Sequence, residues 1–374
     1  MSLTGRRVVS RLSSSGLLTV ELKVVEIAGP GPGEVLVRID GAPINPIDTK
    51  TLFCGIDPRD LASETVDGAP RIAGELAGER LVAYRSRLDA EVAVGVEGTG
   101  LVVDAGPDAA SRAAIGKRVA VAAGGMFSDY RTVALADCLV LPPEAPVEHA
   151  AAALINPMTA LAMLETMRDG GHSALCLTAA ASNLGQMLNR VCLHDGVGLV
   201  NIVRSAGQVA MLHDMGAPFV LDSSDPDFDD ALEAAMAATG ATLAFDATGG
   251  GTLGGRILRA MERSLAGTAP LQGRYGSDVL KQLYFFGGLD PAPVTFQRDF
   301  GMAWTMGGWL LQTVLARIGP ARVEAMKERV RDGLGTLFAS HYGRRISLAG
   351  MMADDAFRAY ATPGTGTKTL IAAP

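Results

Sequence analysis

Cysteine is scarce in this 374-residue chain, and the four that occur, Cys54, Cys138, Cys176 and Cys192, form no CxxC pair. Such spacing argues against a zinc ribbon or a redox dithiol and suits a reducing cytoplasm. Aromatic residues make up only 5% of the chain, so any core must be largely aliphatic. No basic run exceeds Arg6-Arg7 or Arg344-Arg345, and the net charge is -7, which speaks against a nucleic-acid partner. No stretch approaches the roughly 20 apolar residues of a membrane span. Met1 to Val20 has no apolar h-region, so neither a membrane anchor nor a signal peptide is expected.

The balance of 48% apolar and 20% charged residues is that of a globular protein, and the length calls for two domains. The first third reads as β structure. Glu34–Asp40 alternates after the turn Gly29-Pro30-Gly31-Pro32-Gly33, and Gly98–Val103 and Arg118–Ala122 are further strand candidates. Many short strands broken by Gly and Pro suggest a barrel-like unit. Beyond Pro142-Pro143 the pattern changes. Glu148 to Met167 reads as alanine-rich helix, and strands and helices then alternate. Ala174–Thr178, Gly198–Val203, Phe219–Leu221 and Thr242–Asp246 read as strands. Leu184, Met187, Leu188, Val191 and Cys192 fall on one helical face, and helices are expected over Val209–Met215, Ala231–Ala238 and Ala321–Arg331. This βαβ train predicts a parallel, doubly wound α/β sheet.

A sheet of this kind binds pyrophosphate at its first strand–helix turn, where backbone N–H groups at the helix start face the phosphates. Here that turn is Ala179-Ala180-Ala181-Ser182-Asn183-Leu184-Gly185. Only Gly185 of the three fingerprint glycines is present, with small Ala180 and Ser182 in the other two places. Ser182 offers a hydroxyl donor. The competing reading is that Gly185 only lets helix and strand pack. The second strand ends Val203-Arg204-Ser205, with Arg204 where NAD-binding sheets carry an acid. A guanidinium pairs with a 2′-phosphate, so the expected cofactor is NADP(H). A solvated Arg at a strand end is the bland alternative.

Together these residues resemble the zinc-free medium-chain dehydrogenase/reductase superfamily, over nearly the whole chain. The likeness also rests on Gly33–Val37, Ile44-Asn45-Pro46-Ile47-Asp48, Gly95-Val96-Glu97-Gly98-Thr99-Gly100, Gly116–Val119, Phe127–Tyr130, Asn156-Pro157-Met158-Thr159-Ala160, Gly216-Ala217 and Asp246–Gly250. Quinone oxidoreductases and 2-enoyl thioester reductases are the similar branches. The resemblance implies a GroES-like β domain over 1–150, to which 313–374 returns, and a Rossmann NADP-binding domain over 151–312. It also implies a nicotinamide in the cleft between them, and a homodimer joined at Rossmann sheet edges.

Zinc-dependent relatives place a Cys near Ile44–Asp48 and a His before the Glu of the GxEGxG segment. Asn45 and Val96 stand there, and the four-Cys lobe is missing. Val cannot ligate and Asn is a poor zinc ligand, so no metal is expected. The five histidines, 149, 172, 194, 213 and 341, have no ligand spacing. Without a Lewis acid, a conjugated acceptor such as a quinone is the fitting small-molecule partner, because it spreads the charge of hydride addition itself.

The resemblance assigns Asn45 a catalytic place near the nicotinamide ribose and substrate, against its reading as an Asn-Pro turn residue. Thr159, Ser182, Asn183, Leu184, Gly185, Arg204, Ser205, Gly249, Phe286 and Lys368 are the candidate cofactor-binding residues. Gly249-Gly250-Gly251 and Phe286-Gly287-Gly288 read equally as plain turns. The acidic Tyr of the enoyl reductase branch has no counterpart over Phe53–Asp57, and Tyr84 is the substitute considered. Gly55–Ala93 is longer than the family connection and is expected to be a loop covering the cleft. The leading reading is reduction of a quinone or similar conjugated carbonyl. A 2-enoyl thioester reductase and an NADPH-binding protein with little turnover are the alternatives.

Overall fold

The computed structural model describes residues 3–265, 274–362 and 368–373. The chain forms two compact units. One comprises Met1–Ile155 with Arg329–Pro374, the other Asn156–Glu328. These divisions lie beyond the 150 and 313 boundaries set from sequence. The second falls late because the helix Pro320–Asp332 begins within the other unit, where Arg322 pairs with Asp169 at 3.0 Å and also with Glu165.

The Asn156–Glu328 unit carries a six-stranded, wholly parallel sheet. Its spatial order is Phe219–Asp222, Gly198–Val203, Ala174–Thr178, Leu243–Asp246, Lys281–Phe285, Trp304–Gly308. Numbered along the chain, that order is 3-2-1-4-5-6, the Rossmann arrangement, with its reversal beside Ala174–Thr178. The expected helical face is real: Leu184, Met187, Leu188, Val191 and Cys192 are all buried on Asn183–Asp195. That helix stops at Gly196 and the next but one, Phe228–Thr239, at Gly240. Both glycines are left-handed, at φ 67° and 70°, where a side chain would be strained. The core is aliphatic with a few aromatics, including Val200, Ile202, Phe228, Met236, Ile257 and Leu283. The continuous helix expected over 148–167 is instead two, Val147–Ala150 and Ile155–Asp169, parted by a turn. Pro157 sits in the first turn of the second, where its missing N–H costs nothing.

The other unit holds two sheets. In one, Glu34–Pro43 is central. It pairs antiparallel with Gly98–Ala105, with Tyr130–Ala134 and with the C-terminal strand Thr369–Ala372. The second sheet has the order Ala62–Val66, Ala69–Glu75, Leu17–Glu26, Thr4–Leu12, Glu91–Ala93.

The segment 55–93, expected as a loop, supplies three of that sheet's five strands. Its hairpin turns through Asp67-Gly68, both at positive φ, with Val66 paired to Ala69. This is the two-residue turn that matches strand twist. Ile56, Leu61, Ile72 and Leu76 from the segment are buried in the unit's core. Arg358 ties it to the C-terminal stretch through the carbonyls of Pro58 and Leu61, at 3.0 and 3.2 Å. The segment is therefore part of the folded core. Leu61→Ala should lower the unfolding free energy by about 2–5 kcal/mol in chemical denaturation. Deleting Asp57–Leu88 should abolish the cooperative transition of the chain. A deletion variant that keeps the wild-type midpoint would contradict this.

Candidate active site

In the Rossmann unit, the chain leaves Ala174–Thr178 through Ala179, at φ +49°, and through Ala180 and Ala181, both buried. Ser182 is the N-cap of the helix Asn183–Asp195, and its Oγ accepts the Gly185 N–H at 3.2 Å. The hydroxyl thus uses its oxygen inside the turn, and its own hydrogen remains for a ligand. Asn183 and Leu184 belong to the first turn, whose N–H groups lack helical partners and whose dipole favours an anion. Gly185 is held by its own turn: a Cβ there would lie 2.1 Å from the Ala180 carbonyl oxygen. Packing inside the turn thus accounts for a glycine here, whether or not a ligand also approaches it.

Thr178 pairs with Ile202 in register, so Arg204 and Ser205 leave the sheet at the end next to this turn. Both are exposed. Arg204 makes no ion pair among the described residues, and Ser205 caps Ala206–Asp214 without a side-chain bond. An exposed helix start beside a free guanidinium fits a phosphorylated dinucleotide.

Further along the same carboxyl ends, Thr178 Oγ1 donates to the buried Asp246 Oδ1 at 2.7 Å and accepts from Ala247 N at 2.8 Å. Asp246 Oδ2 is buried with no partner among the described residues. Gly249 lies at φ +78°, and a Cβ there would stand 2.7 Å from the Gly287 carbonyl oxygen. Phe286 donates its N–H to the Asp246 carbonyl at 3.0 Å and sets its ring edge-on to Phe245. Gly249 and Phe286 are thereby fixed by the packing of two turns against each other. Thr159 is buried on Ile155–Asp169.

The β unit gathers a second group. Asn45 begins the helix Pro46–Phe53, and its N–H goes to Asp48 Oδ2 at 2.8 Å. Its side chain serves elsewhere. Nδ2 donates to Glu97 Oε1 at 3.0 Å, and Oδ1 accepts from Lys368 Nζ at 3.1 Å. Glu97 Oε2 accepts the N–H groups of Leu154 and Ile155 at 3.2 and 2.8 Å. Val96 donates its N–H to Asp48 Oδ1 at 2.9 Å. The Lys368 ammonium stands 5.8 Å from the centre of the Tyr342 ring.

Burial sets the protonation of these groups. It raises Asp48 to about 7 against the pull of its two backbone donors. Burial likewise pushes Glu97 up, opposed by Lys368. The Lys368 ammonium is pushed down by burial, with Glu97 and Asp48 holding it up. Tyr342 rises through burial and the Glu97 charge. The cluster can thus hold a proton at Lys368 Nζ that is released more readily than from a surface lysine.

Two of the residues picked from sequence, Asn45 and Lys368, are brought together here, although Lys368 was grouped with the nucleotide. Glu97, Asp48 and Tyr342 were missed as site residues. The first two stand in the GVEGTG and INPID segments, where the polar pattern was a usable signal. Tyr342 has no such signal. Tyr84, the substitute weighed from sequence, sits by Gly55, where its hydroxyl would be 3.4 Å from a Cβ, and among the described residues it makes no hydrogen bond to this cluster. Among the described residues no group of three His, Cys, Asp or Glu is placed to hold a metal ion.

No protein-family model matches the chain. Among curated proteins it is similar to the mitochondrial enoyl-[acyl-carrier-protein] reductase of Xenopus tropicalis, with 28% identity over 228 residues, 59% of this chain and 57% of that protein. The Caenorhabditis elegans reductase of the same name is 27% identical, over 56% of this chain and 54% of that one. The chain therefore spans little more than half the length of these relatives. Among solved structures, a mycobacterial quinone oxidoreductase superposes with a TM-score of 0.67 at 20% identity, over 98% of this chain and 100% of that one. A mycobacterial protein complexed with NADPH gives 0.65 at 19% identity, over the same shares. With its 3-2-1-4-5-6 parallel sheet and its largely antiparallel β unit, the chain shares the fold of these reductase structures.

Proposed function

We propose that this chain is an NADPH-dependent oxidoreductase that delivers hydride, without zinc, to a quinone or similar conjugated carbonyl. The observation that carries this reading is the Lys368–Asn45–Glu97 chain of hydrogen bonds, which presents a buried ammonium as a proton donor beside Asn45. Reduced nicotinamide, when bound, supplies the hydride. The start of Asn183–Asp195 binds the pyrophosphate, with Ser182 adding its hydroxyl hydrogen. Arg204 and Ser205 take the 2′-phosphate. Lys368 gives its proton to the acceptor oxygen on which the hydride's electron pair arrives, and Asn45 orients that ammonium. Glu97 is a positioning residue that acts through Asn45. Thr159 belongs to the nicotinamide side by resemblance.

An acyl thioester acceptor is the second reading, favoured by the names of the curated relatives. We further propose a cytoplasmic homodimer, paired along the edge strand Trp304–Gly308. The four cysteines are buried and form no disulfide among the described residues, which supports a reducing compartment. No helix among the described residues is long and apolar enough to cross a membrane.

NADPH oxidation followed with a quinone, a crotonyl thioester and no acceptor tests the reaction. Fast turnover with the quinone alone is expected, and turnover with the thioester alone favours the second reading. NADPH consumption at the blank rate with both would leave a binding protein and refute the enzyme. Elemental analysis should find no stoichiometric zinc, and chelators should leave the rate unchanged.

Arg204→Ala should weaken NADPH binding roughly tenfold to a hundredfold, the range for a lost charge-assisted pair. NADH binding should hardly change. Equal losses for both cofactors in calorimetry would make Arg204 structural.

Lys368→Met should lower kcat by about a hundredfold or more, typical of losing a general acid, with NADPH affinity unchanged. Glu97→Gln should lower kcat less and move the alkaline limb of the pH–rate profile, because Lys368 loses its nearest counter-charge. A Lys368→Met enzyme with wild-type kcat would remove the proton from the scheme.

A further inference from the structure

The strand Thr4–Leu12 buries Val8, Ser10 and Leu12 on one face, so Arg7, Val9 and Arg11 share the other. Val9 pairs with Ala93. A Cβ built on Gly125 would lie 3.4 Å from Ala93 Cβ and 3.1 Å from Arg131 Nε. This places the Arg131 guanidinium on the Arg7 face of the sheet. Both arginines are half-buried.

Arg131 is anchored by one bond, Nε to the Gly124 carbonyl at 3.0 Å. The Arg7 guanidinium has no acceptor among the described residues, and its Nε is hidden from water. Neither forms an ion pair there. The carboxylates close by are engaged elsewhere. Asp129 is held by Arg6 through Nε at 2.9 Å, Nη2 at 3.0 Å and the backbone N–H at 2.8 Å. Glu91 is taken by Lys23, which stands opposite Arg7 in the sheet and also lies 3.6 Å from Glu21.

Two guanidinium groups thus lie together, half out of water, without a counter-charge. Burial and the Arg7 charge both lower the affinity of Arg131 for its proton. An unpaired buried cation is costly, and an anion held by both guanidinium groups would offset that cost. The free donors form planar forks, which match the oxygens of a phosphate group. We infer that Arg7 and Arg131 form a binding site for a phosphate group on the β unit, separate from the nucleotide site of the Rossmann unit.

The test uses the full chain carrying Arg204→Ala, so that the proposed nucleotide-phosphate contact does not contribute. Inorganic phosphate is titrated against thermal unfolding, with chloride at matched ionic strength as the control. Phosphate should raise Tm beyond chloride in a saturable way. Adding Arg7→Gln should raise the half-saturating concentration roughly tenfold to a hundredfold. Because Arg7→Gln removes a repelling charge and breaks no bond, it should also raise Tm in the phosphate-free buffer. Arg131→Lys keeps the charge but not the fork, and should weaken phosphate without unfolding the chain. A parallel titration with methyl phosphate separates a free-ion site from one that takes esterified phosphate; saturable binding of either supports the inference. A phosphate response no larger than chloride's would overturn it. So would an undiminished response in Arg7→Gln, which would move the anion elsewhere.

Discussion

One buried carboxylate organises the chemistry of the β unit. Glu97 is almost wholly out of water, and a lone charge there would be far more costly than any single contact repays. It is tolerated because Asn45, Leu154, Ile155 and, by charge, Lys368 converge on it. These partners come from three distant stretches of the chain. The demand for satisfaction at one side chain therefore fixes where the Asn45 helix starts, where the chain enters Ile155–Asp169 and where Lys368 sits. Asn45 shows the consequence most plainly. As an N-cap it would ordinarily bond its own helix, yet its amide is spent on Glu97 and Lys368, and Asp48 supplies the reciprocal capping bond.

Much of this was legible in the sequence wherever the physics is local. Leu184 to Cys192 announces its helix by period alone, and the first four Rossmann strands stand out as short apolar runs between turns. The last two strands did not. Lys281–Phe285 opens on a lysine that is wholly buried against Glu262, at 2.5 Å, and Trp304–Gly308 ends on two glycines. Both features argue against a strand until tertiary pairing overrides them. The 55–93 segment was misjudged for a different reason. Its length suggested a loop, while the Asp67-Gly68 turn between alternating residues was the stronger, local signal. Lys368 and Asn45 lie 323 positions apart, and Tyr342 carries no motif at all. Contacts of that kind follow from the closure of the sheet around Glu34–Pro43 and leave no trace in spacing.

The glycines teach a narrower lesson. Gly185, Gly249 and Gly287 all fall at strand ends where a dinucleotide fold exposes ligands, and each reads naturally as a place for phosphate or nicotinamide to approach. In each case the atom a Cβ would strike is a carbonyl oxygen of the protein itself, at 2.1, 2.7 and 2.5 Å. These residues are required by turns packing on turns. They shape the surface that a ligand meets, and they carry no information about which ligand it is.

In the proposed nucleotide reading, discrimination between phosphorylated and plain nucleotides falls to charge. The register pairs Val203 with Asp222, so an acid stands at the neighbouring strand end, one residue from Arg204. A carboxylate free to reach Arg204 would neutralise it and repel a 2′-phosphate. Asp222 is instead turned onto its own loop, where Oδ1 accepts from Ser224 N at 2.9 Å and from Ser224 Oγ at 2.7 Å. Arg204 in turn fixes only its backbone, through its N–H to Gln208 Oε1 at 3.1 Å. The guanidinium makes no ion pair among the described residues, while Oδ1 of the neighbouring Asp222 is held by Ser224. Under the proposed nucleotide reading, a preference for the phosphorylated cofactor would draw on the Asp222–Ser224 turn as well as on the arginine itself.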